Sequence, residues 1–302
     1  MTLATFKKGG IASRYGGGTA IAQYGELFQG MIQDADGTLH RCLVSLPCSK
    51  LQSSGRFVAS DNGGVTVMPP AKQKSRRAAE ITLELLGAPS DGLLMIESNI
   101  PEGKGLGSST ADCIAAVISV AAALGRSLTP EQVAETVVRA EIASGNVMFS
   151  RPVLFANREG IVLEDYIRCL PPMTVLGFDT EIDRLVETLS FPPAAYSFWE
   201  IENFKVLTAA LRRAIKEQDT YLLGRVATAS AAINQRFLPK PLFSDLCKIV
   251  DEARALGVAV AHSGTVAGVL LDSRDAKLEA KIDLLKARLG SLGIETVMEF
   301  ST

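Results

Sequence analysis

The chain is expected to be an α+β protein, with helices packed on one face of a sheet. Three observations carry that expectation. Short apolar runs punctuated by glycine, proline and polar turns fill residues 19–67 and return at 93–96, 257–272 and 295–300. Longer stretches of helical character alternate with them, at 71–86, 108–123, 129–143, 201–218, 220–237, 242–256 and 276–289. One apolar run, Leu93 to Ile96, leads through Pro101 and three glycines into an alanine-rich helix, and the rest of the chain is organised around that junction.

Composition narrows the class. The 302 residues suffice for two modest domains or one large one. Apolar residues make up 47% and charged residues 21%, the balance of a globular protein. A net charge of -2 argues against non-specific nucleic-acid binding. The five cysteines (Cys42, Cys48, Cys113, Cys169, Cys247) show no CxxC spacing, which suggests reduced thiols and a cytoplasmic setting. With only His40 and His262 as imidazoles, a histidine-based metal site is not expected. No signal peptide is expected from the first residues. The longest mostly apolar run, Cys113 to Leu124, is too short to span a membrane and reads as a buried helix.

In chain order, residues 1–18 are glycine-rich and polar and read as a mobile arm. Thr19 to Ile32 reads as a strand, a kink near Gly25 and Gly30, and a second strand, or as a glycine-bulged hairpin. His40 to Val67 reads as antiparallel strands, with a turn at Asp61-Asn62-Gly63-Gly64. The basic cluster Lys72, Lys74, Arg76 and Arg77 at the start of the next helix reads as a solvated face. Thr129 and Pro130 open a helix by N-cap and first-turn chemistry, and it runs to Glu141 or Ala143. Pro171-Pro172 and Pro192-Pro193 mark a domain boundary near 165–195, dividing the chain into 1–170 and 171–302. Pro239 and Pro241 stop the helix that ends near Phe237, and Gly257 is the expected stop of the one after it. The segment 257–272 reads as strand, tight loop, strand, and residues 276–289 and 295–300 close the chain as a helix and a last strand.

The chemistry concentrates at Asn99 to Ala116. Gly103, Gly105 and Gly107 give a loop with little side chain, and Ser108, Ser109 and Thr110 open the helix. The first N–H groups of a helix lack internal partners and its dipole favours negative charge there, so this junction is an anion site. Lys104 can add positive charge, and a hydroxyl at the helix start can hold a metal that bridges phosphates. Neither a Walker A loop nor a dinucleotide fingerprint is present here.

The run Gly-Leu-Gly-Ser-Ser, with Pro101 just before it, resembles the second motif of the GHMP kinases. Gly25-Glu26-Leu27 with Gly30 resembles their first motif, and the loop His262-Ser263-Gly264-Thr265 occupies the place of their third. The resemblance implies a two-domain GHMP kinase fold, with an N-terminal domain like ribosomal protein S5 and a C-terminal ferredoxin-like α/β sandwich. It implies ATP and Mg²⁺ as cofactors and a small-molecule hydroxyl as the acceptor, with no nucleic-acid or membrane partner; a homodimer is the assembly considered. The phosphates would be held by Pro101, Lys104, Gly105, Leu106, Gly107, Ser108, Ser109 and Thr110. Ser109 and Glu141 would hold Mg²⁺, and Ser108 and Ser144 complete the catalytic set. Glu26, Gln29, His262, Ser263, Gly264 and Thr265 are candidates for the acceptor pocket, and Lys240 or Arg236 for an acceptor carboxylate.

Finer matches, Leu-Pro-Lys-Pro at 238–241 and Gly-Val-Ala-Val-Ala-His-Ser-Gly-Thr-Val-Ala-Gly at 257–268, resemble the L-threonine kinase branch, which serves cobalamin synthesis. Two positions depart from it. Tyr24 stands where that branch usually has Cys, and Ser144 stands where it has the acid expected as base or lysine partner. Three readings follow: a threonine kinase without that base, a GHMP kinase for another hydroxyl such as homoserine or a sugar, or a non-catalytic nucleotide binder.

Overall fold

The computed structural model describes residues 15–60, 63–186 and 194–302. The segments 1–14, 61–62 and 187–193, with Asp61-Asn62 and Pro192-Pro193 in them, lie outside the described residues. The fold is α+β, built on a ten-stranded sheet whose main path runs β10-β7-β9-β8-β1-β2-β4-β3. The first strand, β1 (Tyr15–Gln33), and β2 (Leu39–Ala59) form a long antiparallel pair. Beside them lie β3 (Val65–Met68), α1 (Gln73–Leu85), β4 (Gly92–Ser98), α2 (Ser108–Ala123) and α3 (Pro130–Glu141). A small extension, β5 (Val153–Ala156) and β6 (Ile161–Asp165), branches from β2. The remainder is β7 (Met173–Asp179), α4 (Phe198–Glu217), α5 (Thr220–Asn234), α6 (Phe243–Ala253), β8 (Gly257–Val260), β9 (Val266–Asp272), α7 (Leu278–Ser291) and β10 (Met298–Ser301). Among the described residues no helix is long and apolar enough to cross a membrane.

Four expectations are corrected here. Residues 15–18 belong to β1, not to a mobile arm. The segment 19–32 is one strand rather than two, because register shifts at Ile21/Ala22, Gln23/Glu26 and Glu26/Phe28 absorb the bend while β2 stays paired. The region 40–67 is not all antiparallel: β3 runs parallel to β4, joined to it through α1. Gly257 does not end α6. Arg254 takes the left-handed cap at φ 50°, and Gly257 opens β8, where an added Cβ would sit 2.1 Å from the Gly224 carbonyl oxygen.

Why α2 lies where it does explains the site. It is buried on nearly every face, as its alanines allow. Gly16 and Gly18 of β1 and Gly55 of β2 let its backbone touch the sheet directly. A Cβ on Gly16 would meet Ala123 N at 2.2 Å, and one on Gly18 or Gly55 would meet the Ala115 carbonyl at 2.6 Å. This close seating holds the middle and C-terminal half of α2 against β1 and β2, and so sets the line along which its start projects. The main core spreads from β1, β2 and α2 to α4 and α5, and a second apolar cluster sits among β7–β9, α6 and α7.

Candidate active site

A cavity of about 520 Å³ opens where the glycine loop, the start of α2, the end of α3 and the β8–β9 loop meet. The glycine loop is locked through the backbone to β1 and to the β8–β9 loop. Gln23 N donates to Leu106 O at 3.1 Å, and Thr265 N donates to Lys104 O at 3.0 Å. Gly105 and Gly264 make the contact possible. Gly105 has φ 85° and a Cβ there would lie 1.9 Å from Ser263 O, while a Cβ on Gly264 would lie 2.3 Å from Lys104 O.

The start of α2 is bare. Its cap position is Gly107, left-handed at φ 70°, with no side-chain oxygen to offer. By contrast α3, α4 and α5 are capped by Thr129, Ser197 and Asp219. The first N–H groups of α2 therefore stay available, and Ser108, Ser109 and Thr110 line the cavity beside them.

Glu141 is the last residue of α3 and is 5% exposed. Thr110 Oγ1 donates to Glu141 Oε1 at 2.6 Å, and Ser109 also hydrogen-bonds the carboxylate. Burial pushes Glu141 above the usual carboxylate range; the two hydroxyls and Lys74 pull it back, and Asp112 adds to the rise. Straight after it, Ile142 takes φ 75°, a strained value for a β-branched residue. That reversal returns Ser144 and Gly145 to the cavity wall. Ser144 Oγ turns onto Gly145 O at 2.8 Å, and Ser144 N donates to Asn157 O.

The other sequence candidates divide. Ser263 and His262 line the cavity, and His262 Nδ1 lies 2.9 Å from Gln29 Oε1. Glu26 does not line it: Gln23 stands on the wall instead and donates from Nε2 to Glu26 Oε1 at 3.0 Å. Burial pushes Glu26 up to about 8, and its Oε2 has no hydrogen-bond partner. Lys104 is held elsewhere, by Asp179 at 2.8 Å and by the carbonyls of Glu181, Ile182 and Arg184. Pro101 is exposed at the mouth of the loop. Arg236 lies on the surface against Glu200 and Phe237, whereas Lys240 is 6% exposed.

Sequence reasoning missed several wall residues. Lys72 is not part of a solvated face: it lines the cavity, and its Nζ bonds Asp112 at 2.6 Å and Glu102 at 2.5 Å, while Lys74 also lines the cavity but stays exposed as expected. Arg76 and Arg77, by contrast, reach Glu80 on the surface. The available signals were lysines at a helix start, where the dipole opposes them, and Asp112 alone in an apolar helix. Asn157 also lines the cavity, from the turn after β5, and nothing local in the sequence marks it.

The residues fit a nucleotide phosphate and a divalent cation. The loop is a cradle that Cβ atoms would fill, the helix start is uncapped, and a buried carboxylate shares hydroxyls with it.

Comparison with known proteins agrees. Residues 73–150 match the GHMP kinases N terminal domain. The chain is similar to the L-threonine kinase of Salmonella typhimurium, 32% identical over 193 residues, covering 62% of this chain and 63% of the relative. It is 33% identical over 189 residues to that of Citrobacter freundii, covering 59% and 61%. The matches thus span somewhat under two thirds of those relatives' length. Among solved structures, a homoserine kinase from Cytophaga hutchinsonii superimposes with a TM-score of 0.68 at 18% identity, over 100% of this chain and 97% of that one. A mevalonate kinase from Staphylococcus aureus gives 0.61 at 18%, over 95% and 98%. The chain therefore carries the GHMP kinase N-terminal domain over residues 73–150, set within the GHMP kinase fold.

Proposed function

We propose that this protein is an ATP- and Mg²⁺-dependent kinase that phosphorylates the hydroxyl of L-threonine, giving O-phospho-L-threonine. The observation that carries the reading is the junction of an uncapped helix start with a buried carboxylate bonded to the Ser109 and Thr110 hydroxyls. The similarity to two L-threonine kinases supports L-threonine as the acceptor. Residues 1–170 would form the nucleotide-binding domain and residues 171–302 the second domain.

When bound, the nucleotide supplies the transferable γ-phosphoryl group and Mg²⁺ neutralises its charge. The N–H groups of Ser108 to Thr110 would receive phosphate oxygens. Ser109 and Glu141 would hold the cation, and Lys72 and Lys74 add positive charge at the wall. His262 and Asn157 face the acceptor side. Ser144 offers no carboxylate, so catalysis here rests on positioning and charge neutralisation, which supply most of the acceleration in a loose phosphoryl-transfer transition state.

ADP release by purified protein with Mg²⁺ is the test, against L-threonine, L-serine, L-homoserine, mevalonate and simple sugars. Turnover with L-threonine, falling about 10²-fold or more in Glu141→Gln, supports the reading. Turnover only with another acceptor reassigns the substrate, and nucleotide binding without turnover on any of them refutes catalysis.

A further inference from the structure

Lys104 sits in the middle of the glycine loop, between Gly103 and Gly105, yet it does not line the cavity as they do. Four oxygens surround its ammonium. One is Asp179 Oδ2, at the end of β7, at 2.8 Å. The others are the carbonyls of Glu181 at 3.2 Å, Arg184 at 3.0 Å and Ile182. An ammonium has three protons to donate, so these four acceptors leave none for a phosphate.

The carbonyls belong to a short turn just past β7. Arg184 N donates to Glu181 O at 3.0 Å, and Glu181 N donates to Asp179 Oδ1 at 2.9 Å. Carbonyls converging on one centre repel one another unless a cation lies between them, and Lys104 supplies it. The Lys104 backbone closes the circuit from the other side. Its carbonyl accepts from Thr265 N at 3.0 Å, and Thr265 O accepts from Thr180 N at 3.0 Å and Thr180 Oγ1 at 2.7 Å. Beyond the turn, Val186 N donates to Gly103 O at 2.8 Å, and Val186 lines the cavity. Apolar packing does little to hold this segment, because Ile182 is 64% exposed and Leu185 is 73% exposed.

We propose that Lys104 is a positioning residue, a tethered cation that pins residues 180–186 onto the glycine loop and so makes Val186 a wall of the nucleotide cavity, rather than a ligand of the phosphates. This rests on the kinase reading for the identity of the nucleotide, but not for the pinning itself. The chemistry separates the two roles. A phosphate accepts arginine as readily as lysine, whereas a cage of converging carbonyls suits a compact ammonium and not a planar guanidinium.

Trypsin cleavage after Arg184 reads the pinning directly, since the Arg184 carbonyl is held by Lys104 and must be freed before a protease can take the bond. The fragment ending at Arg184 is followed by mass in wild type, Lys104→Met, Lys104→Arg and Asp179→Asn. Calorimetry on the same full chains gives Kd for a non-hydrolysable ATP analogue with Mg²⁺. Both Lys104 variants should be cut there about 10- to 100-fold faster than wild type and bind the analogue about tenfold more weakly. Asp179→Asn should shift both readouts in the same direction, and joining it to Lys104→Met should add little, because the two changes remove one contact. Wild-type nucleotide affinity in Lys104→Arg, with Asp179→Asn unchanged or tighter, overturns the proposal in favour of a phosphate contact. Unchanged cleavage at Arg184 in Lys104→Met overturns it as well. If the Lys104 variants misfold, Asp179→Asn decides alone by both readouts. A wild type that binds no nucleotide defeats the kinase reading, and the cleavage comparison still decides the pinning.

Discussion

Lys240→Met should stabilise this protein at neutral pH. Burial holds the Lys240 ammonium down at about 8, with Glu181 opposing the fall and Arg184 assisting it. Against an ordinary value of 10.5, that displacement is worth roughly 3 kcal/mol, at about 1.36 kcal/mol per pH unit. The sign is unfavourable to folding. Between pH 8 and 10.5 the unfolded chain binds the proton and the folded chain does not, so stability rises with pH across that window. Below pH 8 the folded state carries the whole penalty. Methionine fills similar space without a charge, so the variant should gain about 1–3 kcal/mol at pH 7, or a few degrees in Tm for a chain of this size. The advantage should shrink towards zero by pH 10.5. Urea unfolding of both proteins at about pH 6.5, 8 and 9.5 reads the difference. A variant less stable than wild type at the lowest pH, or a gap that does not change with pH, refutes the reasoning, because Lys240 would then have a partner that supports its charge.

Two further perturbations probe other links. Gly105→Ala places a Cβ 1.9 Å from Ser263 O at φ 85° and should cost more than about 2 kcal/mol while abolishing nucleotide binding; a thermal shift assay with and without MgATP checks both. His40 bridges Asp34 at 3.0 Å and Glu159 at 2.7 Å, and the Asp34 hydrogen bond leads in raising its pKa. Its contribution is therefore full below pH 6.5 and lost as pH rises through the raised value, so the deficit of His40→Asn in urea midpoint should narrow from about pH 6 to pH 9. A deficit constant over that range would mean that packing, not charge, is what His40 supplies.

How much of this could be read from the chain depends on how local each feature is. The α3 start is legible because cap and first-turn chemistry lie within a single turn: Thr129 and Gln132 form a reciprocal capping box. The glycine loop is legible for the same reason. The continuity of β1 is not, since Gly25 at φ 83° reads as a break, and only pairing with β2 shows that the strand resumes. Nor is the parallel setting of β3, which depends on where α1 returns the chain. The cavity wall is the extreme case. Lys72 and Asn157 come from separated segments, and each alone looks like an ordinary polar residue.

Ser144 raises the sharpest remaining question, whether a carboxylate there would help. A general base is worth about 10²- to 10⁴-fold where it is correctly placed. This position, however, is 4% exposed and lies just past Glu141, which burial already pushes upward. A second carboxylate beside it would suffer the same burial and the like charge of Glu141, so its own pKa would rise and it would be largely protonated at neutral pH. Its extra atoms must also displace the hydrogen bond that Ser144 makes to Gly145 O, next to a glycine whose Cβ would lie 1.8 Å from Gln23 Oε1. Ser144→Asp should therefore leave turnover within about tenfold of wild type, and lower the unfolding midpoint more at about pH 8 than at pH 5.5, because ionising the new acid opposes folding. If turnover instead climbed by about 10²-fold or more, the site would be arranged around a base after all, and the serine would be a loss rather than an adaptation.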